Sequence, residues 1–195
     1  MKAMLRSVVI GALALALAAC ATVTSAPQGT FAVGQGYQVN LGREWSDISN
    51  IMTGRPKNVR LLSIDGPLLN RLYLTDGLAP GQFLVKPAKR ERPTPTYRAN
   101  MAATELVEFV ADSVAALDYQ RVETSNLRPT KFVGADGVRF DISAQTAEGL
   151  DMAGTASVAE AGGKLYVILY LAPKEHYFAA TLPEVEQVMA SARRG

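Results

Sequence analysis

The stretch VRFDISAQTAEGLDMAGTASVAEAGGKLYVILYLAP, residues 138–173, decides the fold of this chain. Residues 138–145 alternate apolar and polar side chains, which predicts a half-buried strand with one wet face. Glu148-Gly149 then provides a turn, and a second strand is predicted over residues 150–159. The residues at 153–157 are all small, so we expect neighbouring elements to approach this strand closely.

The third strand of this stretch, LYVILYL at 165–171, is apolar at every position. This pattern is typical of a strand that is buried on both faces, so we place it at the centre of a sheet. Gly162-Gly163 is the turn before it, and short turns between consecutive strands imply antiparallel pairing. The stretch therefore predicts a central antiparallel sheet with a layer on each side.

Two further segments have helical periodicity. Residues 101–117 carry one apolar stripe, which predicts a helix that faces the core. The stripe consists of Leu106, Phe109, Val110, Val114 and Leu117. A last helix is predicted to begin near Leu182, because Thr181 and Glu184 have capping-box spacing and Pro183 fits the first turn of a helix.

Shorter strands are predicted before the first helix. Residues 58–64 and 69–74 lie on either side of Asp65-Gly66-Pro67, a turn sequence, and this arrangement predicts a hairpin. Apolar and polar residues alternate weakly over residues 36–41, which predicts an earlier strand. We therefore predict a single-domain α+β sandwich over residues 34–195, with a central antiparallel sheet and helices packed on its faces.

The first residues of the chain, MKAMLRSVVIGALALALAAC, have the pattern of an export signal. Lys2 and Arg6 form a basic start, and a short apolar run from Val8 to Ala19 follows it. This run is too short for a bilayer core, which needs about 20 apolar residues. We therefore interpret residues 1–19 as a signal peptide.

The end of this segment, Leu17-Ala18-Ala19-Cys20, resembles the lipobox of bacterial lipoproteins. The resemblance implies cleavage before Cys20, diacylglycerol on its sulfur and acylation of the new amino terminus. Cys20 is the only cysteine of the chain, so lipidation also accounts for a thiol without a disulfide partner. No cofactor is predicted apart from this covalent lipid.

The residues after Cys20 indicate where the protein lies. Residue 21 is Ala and not the Asp that retains lipoproteins in the inner membrane, so the resemblance implies the outer membrane, with the domain facing the periplasm. Residues 20–33 begin with small and polar side chains, and we predict a lipidated amino terminus with a flexible tether there. The membrane is then a partner through the anchor.

The charge balance argues against a nucleic-acid partner. Two of the 20 basic residues lie in the signal peptide, so the remaining 18 equal the 18 acidic residues. A basic loop at 86–95 stands out locally, with Lys86, Lys89, Arg90 and Arg92. It is either a solvated loop or a contact for phosphate-bearing lipid headgroups, and the first interpretation is the simpler one.

The layout of the second half resembles the PsbP-like family. The resemblance rests on residues 132–173 and on LPEVEQVMASA at 182–192, and it covers about residues 100–195. It implies a helix, a long antiparallel meander and a terminal helix. Members of that family are mostly binding or assembly factors, so the resemblance implies a function without catalysis. No site motif is shared, so no functional residue is carried over.

We find no catalytic or metal-binding motif in the sequence. His176 is the only histidine, and no nucleophile motif accompanies it, so we interpret it as a surface or packing residue. Trp45, the only tryptophan, is interpreted as a packing residue. Tyr166 and Tyr170 share one strand face, where they either line a ligand groove or pack under a helix, and packing is favoured. No catalytic, cofactor or metal residue is therefore assigned.

Three functions remain open at this point. The leading hypothesis is a membrane-anchored envelope lipoprotein that acts as a binding or assembly module, not as an enzyme, with a possible envelope protein partner. The second is a carrier of a small ligand or lipid, with a cavity against the sheet near residues 153–157 and the two tyrosines. The third is an enzyme with an unrecognised carboxylate site.

Overall fold

The computed structural model describes residues 23–52, 55–88, 91 and 93–194. Within these residues the chain forms ten strands and two α-helices. The strands are β1 (Thr24–Ala26), β2 (Gly29–Val33), β3 (Tyr37–Leu41), β4 (Trp45–Asp47), β5 (Val59–Ser63), β6 (Arg71–Thr75), β7 (Gln120–Phe132), β8 (Ala135–Gln145), β9 (Asp151–Ala161) and β10 (Lys164–Pro173). The helices are α1 (Ala103–Ala116) and α2 (Ala179–Ser191).

Eight of these strands form one sheet, in the order β1-β4-β5-β6-β10-β9-β8-β7, and β2 pairs only with β3. All of the strand pairs are antiparallel. The predicted hairpin is formed by β5 and β6, and the predicted meander by β8, β9 and β10. The prediction of a large antiparallel sheet with β10 in its interior is confirmed.

Alternate residues of β10 pack into two separate apolar clusters. The odd-numbered residues from Leu165 to Leu171 lie in one cluster with the buried stripe of α1. The even-numbered residues from Tyr166 to Ala172 lie in a second cluster with Val185 of α2. Because successive side chains of a strand point to opposite faces, the two clusters lie on opposite faces of the sheet.

The second cluster contains more than a helix. Val33, Tyr37, Val39 and Leu41 of the β2–β3 hairpin are buried in it together with the side chains of α2. The prediction of helices on the faces of the sheet is therefore incomplete. A two-stranded hairpin shares the second face with α2, and its buried side chains lie in one cluster with apolar side chains of β5, β6 and β10.

The flexible tether predicted for residues 20–33 differs from the structure from Thr24 onward. Residues 24–26 and 29–33 are strands β1 and β2, and both Ala26 and Val33 are buried. β1 pairs with β4 and forms one edge of the large sheet. Small and polar residues suggest a loop, but here the pairing with β4 and two buried apolar side chains hold the backbone in an extended conformation. The folded domain therefore begins about ten residues earlier than residue 34.

The last helix also begins earlier than predicted. A kinked turn, Lys174–Phe178, in which Glu175 and His176 have non-helical backbone angles, follows β10 directly, and α2 begins after it at Ala179. Thr181 is a buried residue inside the helix, so it does not cap the amino terminus, although its spacing to Glu184 suggests that it does.

No helix within the described residues is long and apolar enough to cross a membrane. The predicted signal peptide at 1–19 and the lipidation site Cys20 lie outside the described residues. Both stay predictions from the sequence.

Candidate functional site

A cavity of about 680 Å³ opens at the end of the sheet where β9 turns into β10. Four parts of the fold meet there: the β2–β3 turn, the residue after β6, the start of β10 and the segment after α2. The side chains and backbone that line it include Gln35, Gly36, Asp76, Lys164, Tyr166 and Arg194. These residues are far apart in the sequence, and they meet because β6 pairs with β10 and because α2 ends beside β3.

Asp76 forms one wall of the cavity. Its side chain Oδ1 accepts a hydrogen bond at 2.5 Å from the backbone N–H of Gly36. Its own backbone N–H donates to the carbonyl of Asn58 at 2.7 Å, which fixes the residue beyond the end of β6. The carboxylate also fills the space that a Cβ atom would need at Gly34 and at Gly36. The turn between β2 and β3 is therefore packed directly against a fixed negative charge.

Two tyrosine rings, those of Tyr37 and Tyr166, lie next to the Asp76 wall of the cavity. The rings of Tyr37 and Tyr166 meet edge to face, with their centroids 5.9 Å apart. Tyr37 is only 3% exposed, and its hydroxyl has no hydrogen-bond partner among the described residues. Burial raises the pKa of Tyr37 well above the usual value of 10.0, and the nearby charge of Asp76 raises it further. The hydroxyl of Tyr37 is therefore neutral at any physiological pH.

Two exposed cations border the cavity on the other side. The guanidinium carbon of Arg194 lies 5.6 Å from the centroid of the Tyr166 ring, within the range of a cation–π contact. The side chain of Lys164 passes beside Gly77, where an added Cβ would lie 3.0 Å from its Cδ. Neither cation forms an ion pair with any other residue that the structure describes. The only carboxylate among the lining residues is Asp76.

The two tyrosines singled out in the sequence have different environments. Tyr170 is fully buried and stacks on Phe178, with ring centroids 5.8 Å apart, so the packing interpretation is confirmed for it. Tyr166 is also largely buried, but part of its ring lines the cavity. The two residues therefore do not line one common groove.

The small residues at 153–157 allow close packing, as predicted. A Cβ at Gly154 would lie 2.7 Å from the backbone oxygen of Tyr170 in the next strand. On the other side of the same strand, the hydroxyl of Ser157 lies 3.4 Å from the sulfur of Met189 in α2. Thr155, Ala156 and Ser157 are buried between packed elements, so the structure gives the carrier hypothesis no cavity at these three residues.

Trp45 and His176 lie where the sequence places them. Trp45 is 1% exposed in the second cluster, and its indole N–H lies 3.5 Å from an oxygen of Glu184. His176 is exposed in the turn between β10 and α2, and its ring lies edge to face against that of Tyr177, with 5.3 Å between centroids. The interpretations of Trp45 as a packing residue and of His176 as a surface residue are both confirmed.

The structure describes only part of the basic loop at 86–95. Lys89, Arg90 and Arg92 lie outside the described residues. Of the remainder, Lys86 is exposed, and the backbone N–H of Ala88 donates to the carbonyl of Ala116 at 2.8 Å. Ala116 is the last residue of α1, so residue 88 lies beside the end of that helix. The interpretation of residues 86–95 as a solvated loop stays a prediction.

Within the described ranges, no three His, Cys, Asp or Glu residues are placed so that they could hold a metal ion.

The sequence did not indicate that Asp76, Lys164 and Arg194 form a group. One partial signal was present, since Gly34-Gln35-Gly36 has the beginning of a phosphate-binding glycine pattern but lacks the later glycine and a predicted strand before it, so the pattern is too weak to indicate a site. The structure shows a different reason for these glycines, which is the close approach of the Asp76 carboxylate.

No family model matches the chain, and no curated protein matches it. Among solved structures, the cyanobacterial PsbP (CyanoP) of Synechocystis sp. PCC 6803 aligns with a TM-score of 0.54 at 14% identity, covering 91% of this chain and 95% of that one. The Saccharomyces cerevisiae Ran-binding protein Mog1p aligns with a TM-score of 0.54 at 7% identity, and the alignment covers 90% of this chain and 96% of Mog1p. LpqN of Mycobacterium tuberculosis aligns with a TM-score of only 0.37 at 13% identity, and the alignment covers 71% of this chain and 79% of LpqN. That protein is described as involved in cell envelope biogenesis. At these identities the first two matches show a shared fold and nothing more, and the PsbP-like layout extends over most of the chain, not only over residues 100–195.

Proposed function

We propose that this chain is a lipid-anchored protein of the bacterial cell envelope whose domain binds a partner molecule and catalyses no reaction. The observation that carries the binding function is the charged cavity. Lys164 and Arg194 are exposed beside it and unpaired among the described residues, while Asp76 is already bonded to the backbone of Gly36. Neither cation has a carboxylate partner among the described residues, so the charge of each is available to a ligand.

The fold supports a binding function in a general way. One of the solved proteins of similar fold is named a Ran-binding protein, so this fold supports binding in at least one other chain. The envelope location rests on the sequence alone, on the lipobox at 17–20, and Ala21 supports the outer membrane as the site of anchoring.

A small-ligand carrier is the second candidate function, and the cavity favours it. Its volume of about 680 Å³ lies within the range of about 300–1,000 Å³ that is usual for small-molecule sites. The site differs from the one first considered, because it lies at the end of β10 and not against the small residues at 153–157. The third hypothesis, an enzyme with paired carboxylates, gains no support at this site, since the lining residues include one carboxylate only.

Site-specific photo-crosslinking in intact cells tests the binding function. A benzoylphenylalanine at position 35, on the rim of the cavity, is compared with one at position 68, which lies in the exposed β5–β6 turn at the other end of the sheet. We expect a recurrent crosslinked product from position 35 that is absent from position 68. Its mass decides between a protein partner and a small ligand. The same products from both positions, or none from position 35, would contradict binding at the cavity.

A further inference from the structure

We propose that the cavity beside Tyr166 binds an anionic phosphate or carboxylate group through Lys164 and Arg194, and that a hydroxyl next to this group on the ligand donates to Asp76. This inference rests on the proposed binding function and names the chemistry of its ligand.

The two cations line the same cavity and lie beside the same aromatic ring. Lys164 is the first residue of β10, and its side chain passes over Gly77, close to the ring of Tyr166. Arg194 follows α2, and its guanidinium lies against the same ring at 5.6 Å. Both cations therefore flank one aromatic side chain at the mouth of one cavity. Charge-assisted hydrogen bonds from lysine and arginine to phosphate or carboxylate oxygens are among the stronger polar contacts in proteins.

Asp76 limits what the anion can be. Its carboxylate accepts the N–H of Gly36 and forms no ion pair with either cation among the described residues. The lining side chains then carry two positive charges and one negative charge. A ligand that is only an anion would be repelled by Asp76, whereas a hydroxyl beside the anionic group would donate to the carboxylate. The site therefore favours a hydroxylated phosphate or carboxylate over a simple anion.

The tightly packed floor of the cavity supports a formed site. A side-chain Cβ at Gly36 would lie 2.9 Å from a ring carbon of Tyr166, and one at Gly77 would lie 3.1 Å from the same ring. The turn, the ring and the carboxylate therefore hold one another in place before any ligand arrives. A preorganised site loses less conformational entropy on binding.

Nuclear magnetic resonance with ¹⁵N-labelled glycine tests this inference on the mature protein in a neutral detergent. Glycerol 3-phosphate and lactate serve as free hydroxylated anions, and methyl phosphate serves as an anion without a neighbouring hydroxyl. Dihexanoylphosphatidylglycerol serves as a lipid headgroup. The amides of Gly36 and Gly162 report on the cavity, and that of Gly149 reports on the other end of the sheet.

We expect saturable shifts at Gly36 and Gly162 with at least one hydroxylated anion, no shift at Gly149, and weaker binding of methyl phosphate. The double variant Lys164→Ala/Arg194→Ala should raise the dissociation constant about tenfold or more, because two charge-assisted contacts are lost. The control variant Lys174→Ala/Arg193→Ala also removes two positive charges. Lys174 follows the other end of β10, and Arg193 is the neighbour of Arg194 in the sequence. This variant should leave the dissociation constant within about twofold of the wild-type value. A saturable response to the phosphatidylglycerol alone assigns the ligand to a lipid headgroup, and a response to the free anions assigns it to a soluble molecule.

Two results would overturn the inference. One is the absence of a saturable shift with every probe, and the other is equal weakening by the control variant. If crosslinking from position 35 still captures a partner in either case, the binding function stands and only the ligand class is wrong. If that crosslinking also fails, the proposed function is wrong as well.

Discussion

The carboxylate of Asp76 accepts a hydrogen bond at 2.5 Å from the backbone N–H of Gly36 and thereby joins the end of β6 to the β2–β3 turn. The contact connects the large sheet to the separate hairpin that covers it. It also sets the position of the cavity wall. One side chain therefore contributes both to the packing of the fold and to the charge of the candidate site.

Substitution Asp76→Asn should lower the free energy of unfolding by about 1–2 kcal/mol, because a charge-assisted hydrogen bond becomes a neutral one in a tightly packed turn. Urea unfolding at neutral pH measures this change. Asp136→Asn is the matched control, since the Asp136 side chain is 90% exposed and forms a surface pair with Lys131. The control should change stability by less than about 0.5 kcal/mol. Equal effects of the two variants would show that the contact with Gly36 has no special role.

Substitution Gly154→Ala should destabilise the protein by about 1–3 kcal/mol, which is typical of overpacking in a close-packed interior. The added methyl group would lie 2.7 Å from the backbone oxygen of Tyr170 and from Leu171 in the next strand, so β9 and β10 would have to separate. Thermal unfolding of the variant measures the cost. Ser143→Ala on the exposed part of β8 is a suitable control. An unchanged melting temperature for Gly154→Ala would contradict the close approach of these strands.

Substitution Glu184→Ala should shift the fluorescence emission maximum of Trp45 and lower the free energy of unfolding by about 1–2 kcal/mol. An oxygen of Glu184 accepts a hydrogen bond from the N–H of Gly42 at 2.7 Å and lies 3.5 Å from the indole nitrogen, so its removal leaves two donors without this partner. Trp45 is the only tryptophan, and its emission reports on this site alone. The exposed Glu175 provides the control variant Glu175→Ala, whose emission spectrum should match that of the wild type. A shifted spectrum for both variants would show that the effect is not local.

The stability of the protein should fall as the pH rises above about 10. Burial raises the pKa of Tyr37 in the folded state, so the unfolded chain loses this proton first. The contribution of Tyr37 is therefore complete below pH 10 and is lost progressively above it. Tyr37→Phe should reduce the loss of stability between pH 8 and pH 11, and it should cost little at pH 8, because the hydroxyl has no hydrogen-bond partner among the described residues. Urea unfolding at the two pH values tests this, with Tyr177→Phe as a partly exposed control. An unaltered alkaline loss in Tyr37→Phe would contradict the assignment.

The interior position of β10 was predictable from local sequence. Its residues are apolar at every position from Leu165 to Leu171, and only a strand covered on both faces favours this pattern. The hairpin around Asp65-Gly66-Pro67 was predictable for the same kind of reason, because turn chemistry is local. Contacts between neighbours in the sequence determine both features.

The candidate site was not predictable in this way. Asp76 and Lys164 meet because β6 pairs with β10 across an intervening helix and meander, and Arg194 joins them because the segment after α2 lies beside β3. No local pattern encodes either contact. A cation just after α2 is also favourable at the negative end of the helix dipole, so the position of Arg194 in the sequence does not by itself indicate a ligand site. The early start of the domain was missed because Ala26 and Val33 are the only deeply buried side chains of the first two strands, and two residues do not make a detectable period.

The central claim is that this domain is held at the envelope membrane by lipid on Cys20, and intact mass with membrane fractionation tests it most directly. Wild-type protein and Cys20→Ala are expressed in the same bacterial host and separated into soluble, inner-membrane and outer-membrane fractions. We predict that the mature wild-type chain begins at Cys20, carries the mass of the acyl chains and fractionates with the outer membrane, and that Cys20→Ala is soluble or keeps its signal peptide. A wild-type chain without lipid mass in the soluble fraction would contradict the claim.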